Sequence, residues 1–256
     1  MSRVPLTLTI LKTAMTSRLL LGMLTPSSNT TLEPVTTAML AEIPEASAHF
    51  GRFRVTEIAL SEGALSQFDD TEILAAARLL SHAKCQTIGW NGTSSGWKGF
   101  AADEALCAAI ERETGARACT SVLALNEIFA LTNVTRFGLV TPYRDDVQSA
   151  IVRNYAASGF TCVAERHLNL QDNYSFSEVS ADKIAAMVRE VAQARPQAIS
   201  IFCTNLRGAP LVPALEAELG IPVIDSISAV VWKSLRLAGL DTRRIRAWGR
   251  LFQDIA

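Results

Sequence analysis

The chain repeats itself, and that repetition constrains its fold more than any other feature. Gly22-Met23-Leu24-Thr25-Pro26 recurs as Gly138-Leu139-Val140-Thr141-Pro142. Ile88-Gly89-Trp90-Asn91-Gly92-Thr93-Ser94 recurs as Ile199-Ser200-Ile201-Phe202-Cys203-Thr204-Asn205. Gly115 and Thr120-Ser121 correspond in turn to Gly220 and Asp225-Ser226. Landmarks that recur in one order with little drift imply two copies of one α/β unit, related by a pseudo-twofold and sharing a site. At equivalent positions one copy carries Gly92 and the other Cys203. A site with places for two facing thiols holds one.

Short apolar runs at 19–24, 87–90, 137–140, 198–202 and 223–224 predict buried parallel strands. Helical patterns follow them. Asp69 with Glu72 has capping-box spacing and opens a helix to about Ala83. Further helices are predicted over 100–114 (ending at Gly115), 143–157, 181–194, 210–219 and 226–238. This alternation predicts an α/β fold of two similar doubly wound parallel-sheet domains with the active site between them. The first repeat spans 18–134, with 226–256 packing back on it; the second spans 135–225; residues 1–17 form an N-terminal extension.

Of the 256 residues, 49% are hydrophobic and 19% charged, enough for a sizeable core and too apolar for disorder. A net charge of −1 without a basic tract excludes nucleic-acid binding by phosphate neutralisation. No apolar run reaches the roughly 20 residues of a membrane span. The apolar stretch at 4–11 is short and has no small-residue cleavage site, so a cytoplasmic location is expected. The five cysteines (Cys85, Cys107, Cys119, Cys162, Cys203) show neither close pairs nor metal-ligand spacing. His49, His82 and His167 are scattered, so no metal is expected.

In such folds ligands bind beyond the carboxyl ends of the strands, where helix N-termini present free N–H groups. Here those ends are small and polar: Thr25 to Thr30, Asn91 to Gly96, Thr141 to Tyr143, and Cys203 to Asn205. They suit a small mono- or dicarboxylate held by neutral donors, the logic of an oxyanion hole. Each segment also has a plainer use. Gly92-Thr93-Ser94 is a natural tight turn, Asn29 a natural N-cap, and Asn173 lies in a polar turn. His167 is read as structural, and Cys85, Cys107, Cys119 and Cys162 as packing residues.

Taken together, these residues resemble the aspartate/glutamate racemase superfamily, in its maleate isomerase and arylmalonate decarboxylase branch. Pro26-Ser27-Ser28-Asn29-Thr30 is similar to the maleate isomerase substrate loop, and Gly92-Thr93-Ser94 to the dioxyanion-hole segment of the decarboxylases. Thr141 to Val147 carries the tyrosine that both groups use, Tyr143, and Cys203 stands where both keep a catalytic cysteine. Trp248 to Phe252 is similar to decarboxylase C-termini. The resemblance implies catalysis by Cys203 without a cofactor, and substrate contacts from Pro26, Asn29, Gly92, Thr93, Ser94, Tyr143, Asn173 and Thr204. Two-cysteine members would carry their first cysteine at position 92, whereas the decarboxylases have glycine there. Asn29 and Asn173 resemble maleate isomerase contacts, which makes the site a hybrid.

The chemistry expected is decarboxylation of a substituted, arylmalonate-like diacid through an enediolate that Cys203 protonates as a neutral thiol. Glycine opposite Cys203 would leave room for the substrate and supply no second proton donor. The alternatives are a maleate-type cis–trans isomerase, a racemase-like step, or an acid sensor that keeps the fold without the chemistry. Assembly into a homo-oligomer is compatible with all of these.

Overall fold

The computed structural model describes residues 18–60 and 70–255. The N-terminal extension with its apolar stretch, and Asp69 of the capping box, lie outside the described residues. The first unit runs β1 (Leu19–Pro26), α1 (Leu32–Leu40), β2 (Ala46–Phe53), α2 (Asp70–His82), β3 (Thr87–Trp90), α3 (Ser95–Lys98), α4 (Ala101–Thr114) and β4 (Arg117–Thr120), and α5 (Ser121–Leu131) leads out of it. The second runs β5 (Arg136–Thr141), α6 (Asp145–Ala157), β6 (Thr161–His167), α7 (Ala181–Ala192), β7 (Ala198–Ile201), α8 (Val212–Leu219) and β8 (Val223–Asp225). Helices α9 (Ser226–Leu237) and α10 (Leu251–Asp254) close the chain. The strand orders β2-β1-β3-β4 and β6-β5-β7-β8, parallel throughout, repeat each other strand for strand.

The repeated landmarks turn out to be structural punctuation. Gly22 and Gly138 sit on the central strands where a side chain would press into Leu80 of α2 and Val191 of α7, so glycine lets each helix lie close on its sheet. Gly115 and Gly220 take left-handed φ of 70° and 68° to end α4 and α8, each N–H returning to a carbonyl of the last turn. Thr120 and Asp225 end the fourth strands and cap the next helices: Thr120 Oγ1 accepts from Leu123 N–H, and Asp225 Oδ1 from Ile227 and Ser228 N–H.

Those two helices cross over. On α9, Val230 packs where a side chain on Gly89 of β3 would stand, and Ser234 meets the Cys119 thiol of β4 at 3.4 Å. On α5, Phe129 stacks on Phe137 of β5 with centroids 5.3 Å apart. Each unit therefore lends a helix to the other's sheet, and the seam between them is continuous core. Among the described residues no helix is long and apolar enough to cross a membrane, and no group of three or more His, Cys, Asp or Glu is arranged to hold a metal.

Several predicted boundaries move. The helix expected from Tyr143 starts at Asp145, because Arg144 is extended (ψ 161°); Tyr143 is thereby left free to point into the seam. The helix expected from Pro210 begins as a 3-10 turn, Ala209–Leu211, and becomes α-helical at Val212. The helix predicted to Ala194 stops at Ala192, before Arg195 turns left-handed at φ 49°.

A candidate active site between the two units

The carboxyl ends of the two sheets face each other, and hydrogen bonds stitch them together. Thr204 Oγ1 donates to the Asn91 carbonyl at 3.0 Å, and Thr30 N–H donates to Asn205 Oδ1 at 3.0 Å. Asn173 N–H reaches the Thr56 carbonyl at 3.0 Å, and its side-chain amide donates to Ser28 Oγ at 2.7 Å. Between these ends lies a cavity of ≈ 20 Å3, room for about one water. Its polar wall is Asn91, Gly92, Thr93, Tyr143, Asn173, Cys203 and Thr204; its apolar wall is Pro26, Val55, Ile58, Trp90 and Trp97.

Cys203 lies just beyond β7 and is 3% exposed. Its Sγ accepts from Asn205 N–H at 3.3 Å, and the Tyr143 hydroxyl lines the same cavity. Burial pushes the thiol up to about 11 against these donors, and the carboxyl of Asp225 adds to the rise. Cys203 is therefore a neutral thiol at pH 7, the state an acid needs. Tyr143 OH also meets Thr93 Oγ1 at 2.6 Å. Either hydroxyl can donate, and the bond joins the first unit to the second beside Cys203. Edge-on contacts with Trp97 (5.5 Å) and Phe176 (5.7 Å) fix the tyrosine ring. Burial holds the phenol well above its usual range, so it too stays a donor.

The turn after β3 carries unpaired backbone donors. Among the described residues, the N–H groups of Thr93 and Ser94 have no acceptor, and they open α3. Two free N–H groups beside two hydroxyls can stabilise negative charge developing on a carboxylate.

Seven of the expected site residues line this cavity: Pro26, Gly92, Thr93, Tyr143, Asn173, Cys203 and Thr204. Ser94 and Asn29 do not. Ser94 starts α3, its carbonyl accepting from Trp97 and Lys98 N–H. Asn29 Oδ1 accepts from Thr31 and Leu32 N–H at the head of α1, while its amide donates to the Thr204 carbonyl at 3.1 Å. Asn29 is a cap and a cross-unit strut. His167 is held between Asp145 (2.7 Å) and Glu165 (2.8 Å), away from the cavity. Cys85, Cys107, Cys119 and Cys162 lie elsewhere, and burial pushes each thiol up.

The expectation that Gly92 leaves open space is corrected by Trp90. A side-chain carbon placed on Gly92 would overlap the indole Cζ2, Cε2 and Cη2, all well inside the 3.0 Å of real contacts. Gly92 is not among the left-handed glycines, so what it provides is space rather than backbone freedom. Val55, Ile58, Trp90 and Trp97, the apolar wall, are the lining residues that sequence reasoning missed.

Two parallel four-stranded α/β units facing each other across a buried cysteine define the aspartate/glutamate racemase-like class of protein. Within that class the chain belongs to the arylmalonate decarboxylase family, whose model matches residues 21–252. The arylmalonate decarboxylase of Bordetella bronchiseptica is 30% identical over 182 residues, covering 70% of this chain and 75% of that protein. A maleate isomerase of Nocardia farcinica is 27% identical over 246 residues, 92% of this chain and 96% of its own length. The structure of a cysteine-to-serine mutant of N. farcinica maleate cis-trans isomerase, with a covalently bound succinylcysteine intermediate, superposes with a TM-score of 0.86 at 25% identity, covering 94% of this chain and all of that one. The family thus holds decarboxylases and isomerases.

Proposed function

We propose that the protein is a cofactor-independent carboxy-lyase that removes CO2 from a substituted malonate. The observation that carries this reading is the pairing of one neutral thiol, Cys203, with Gly92 and the Trp90 ring where a second acid–base group would stand. In the reaction the bond from the α-carbon to one carboxylate breaks and CO2 leaves. The electron pair spreads into the remaining carboxylate as an enediolate, held by the N–H group of Thr93 and the hydroxyls of Thr93 and Tyr143. Cys203 then gives its proton to the α-carbon, and the thiolate regains one from water. One donor on one face makes one enantiomer.

Asn173 on the cavity wall favours a second reading, cis–trans isomerisation of a maleate-like diacid. That chemistry calls for a nucleophilic thiolate, and a thiol raised to about 11 opposes it. The test is a panel of malonates, maleate and citraconate, scored for CO2 release and for isomerisation. CO2 release with an enantiopure monoacid product supports the lyase; isomerisation without CO2 release replaces it with the isomerase.

A further inference from the structure

We propose that Trp90 sets the specificity of this site. Its indole occupies the volume that a side chain at position 92 would take and restricts the α-substituent of the substrate to a small aliphatic group. This rests on the acid-binding reading of the Cys203 cavity.

Three observations converge on it. The repeat pairs Trp90 with Ile201 and Gly92 with Cys203. In the second unit a compact residue ends the strand, and two positions later a thiol fits. In the first unit the largest side chain ends the strand, and two positions later there is no side chain. The register matches: Trp90 pairs with Leu24 and Thr120, as Ile201 pairs with Val140 and Asp225. Between the two units, volume at one position is traded for volume at the other.

The ring is also held in place. Trp90 is 1% exposed and packs on Phe53 at 4.9 Å. Moving the indole off Gly92 would open a void beside Phe53, which the close packing of a core opposes. Finally, the cavity that remains, ≈ 20 Å3, is walled on its apolar side by Trp90, Trp97, Val55 and Ile58. Any malonate must widen this cavity; an aryl substituent would in addition need the space the indole already fills, whereas a methyl group adds little to what the two carboxylates require.

Two measurements test this, one of them independent of the reaction. The first is a stability cycle on Gly92→Ala, Trp90→Leu and the double variant, by denaturant unfolding of the full chain. Gly92→Ala is expected to destabilise the protein with Trp90 present and to cost nothing once residue 90 is leucine; additive effects overturn the packing claim. The second is calorimetric binding of methylmalonate and phenylmalonate, in a Cys203→Ser background that prevents turnover. With Trp90 present, methylmalonate is expected to bind at least about tenfold more tightly; Trp90→Leu is expected to shift that ratio about 10 to 200-fold toward phenylmalonate. An unchanged ratio, or a preference for phenylmalonate with Trp90 present, overturns the size claim. If Trp90→Leu does not fold, Trp90→Phe shortens the ring system and carries the same comparisons. Binding of neither diacid to any variant removes the acid-site reading and the size claim with it, and the stability cycle still decides the packing claim.

Discussion

Thr93 Oγ1 and Tyr143 OH lie 2.6 Å apart across the seam, one hydroxyl from each unit. On the proposed lyase reading, both hydroxyls serve the substrate's remaining carboxylate. Thr93→Val and Tyr143→Phe should each lower kcat by about 10 to 1,000-fold, on the scale of a lost oxyanion-hole donor. Steady-state kinetics on both variants check this, and wild-type rates in both would place the charge elsewhere.

Cys203→Ala should abolish turnover and leave the fold intact, because it removes the proton donor and little buried area. The raised thiol makes a second expectation about reactivity. Since only the thiolate alkylates, modification of Cys203 by iodoacetamide should be slow at pH 7.5 and rise about tenfold per pH unit up to pH 10, with no plateau below the pKa of about 11. Mass spectrometry of the labelled peptide follows it. A plateau near pH 8 to 9 would mark an ordinary thiol and show that burial does not raise Cys203.

Asn29 separates a strut from a substrate contact. Its carbonyl caps α1 and its amide ties down the Thr204 carbonyl, both within the protein. Asn29→Ala should cost about 1–2 kcal/mol of stability, with KM nearly unchanged. A large rise in KM at wild-type stability would return Asn29 to the substrate.

Asp225 gives the protein a pH-dependent stability. The carboxyl is fully buried; burial raises it to about 7, while the N–H groups of Ile227 and Ser228 pull the other way. The folded state then holds a proton that the unfolded chain releases near its ordinary 3.8. This contribution is fully present below about pH 4 and is lost as pH rises toward 7. Asp225→Asn keeps the capping oxygen and removes the charge, so urea midpoints measured from pH 4.5 to 7.5 should fall less steeply than in the wild type. It should also lower the Cys203 pKa, because the carboxylate faces that thiol.

What the sequence made legible follows from where residues are buried. Strands β1, β3, β5 and β7 are covered on both faces and read as unbroken apolar runs. The edge strands β2 (ASAHFGRF) and β6 (TCVAERH) are half exposed and mix charge with small residues, so they carry no such run. Helix α5 (SVLALNEIFAL) lies between the units and is apolar around most of its surface, which hides its period. At the site, Cys203, Thr93 and Tyr143 announce themselves by repeat position and resemblance. Trp90 does not, because a tryptophan ending a buried strand reads as core until its ring is seen against Gly92.

That contact also changes what a second cysteine would do. By the repeat alone, Gly92→Cys places a thiol across the substrate carbon from Cys203 and opens a two-base route to racemisation. With the Trp90 indole in that space, the single variant should instead be destabilised by about 1–3 kcal/mol, the range of an overpacked core, and should still give one enantiomer. In a Trp90→Leu background Gly92→Cys should cost no further stability and should gain racemisation of the product, with deuterium taken up from D2O at the α-carbon. Chiral chromatography and mass spectrometry of recovered product read both. A single variant of wild-type stability that racemises would show that the indole does not stand against Gly92. A folded double variant that binds the acid yet exchanges no deuterium would show that position 92 does not face the thiol, and the shared two-unit site would have to be redrawn around Cys203 alone.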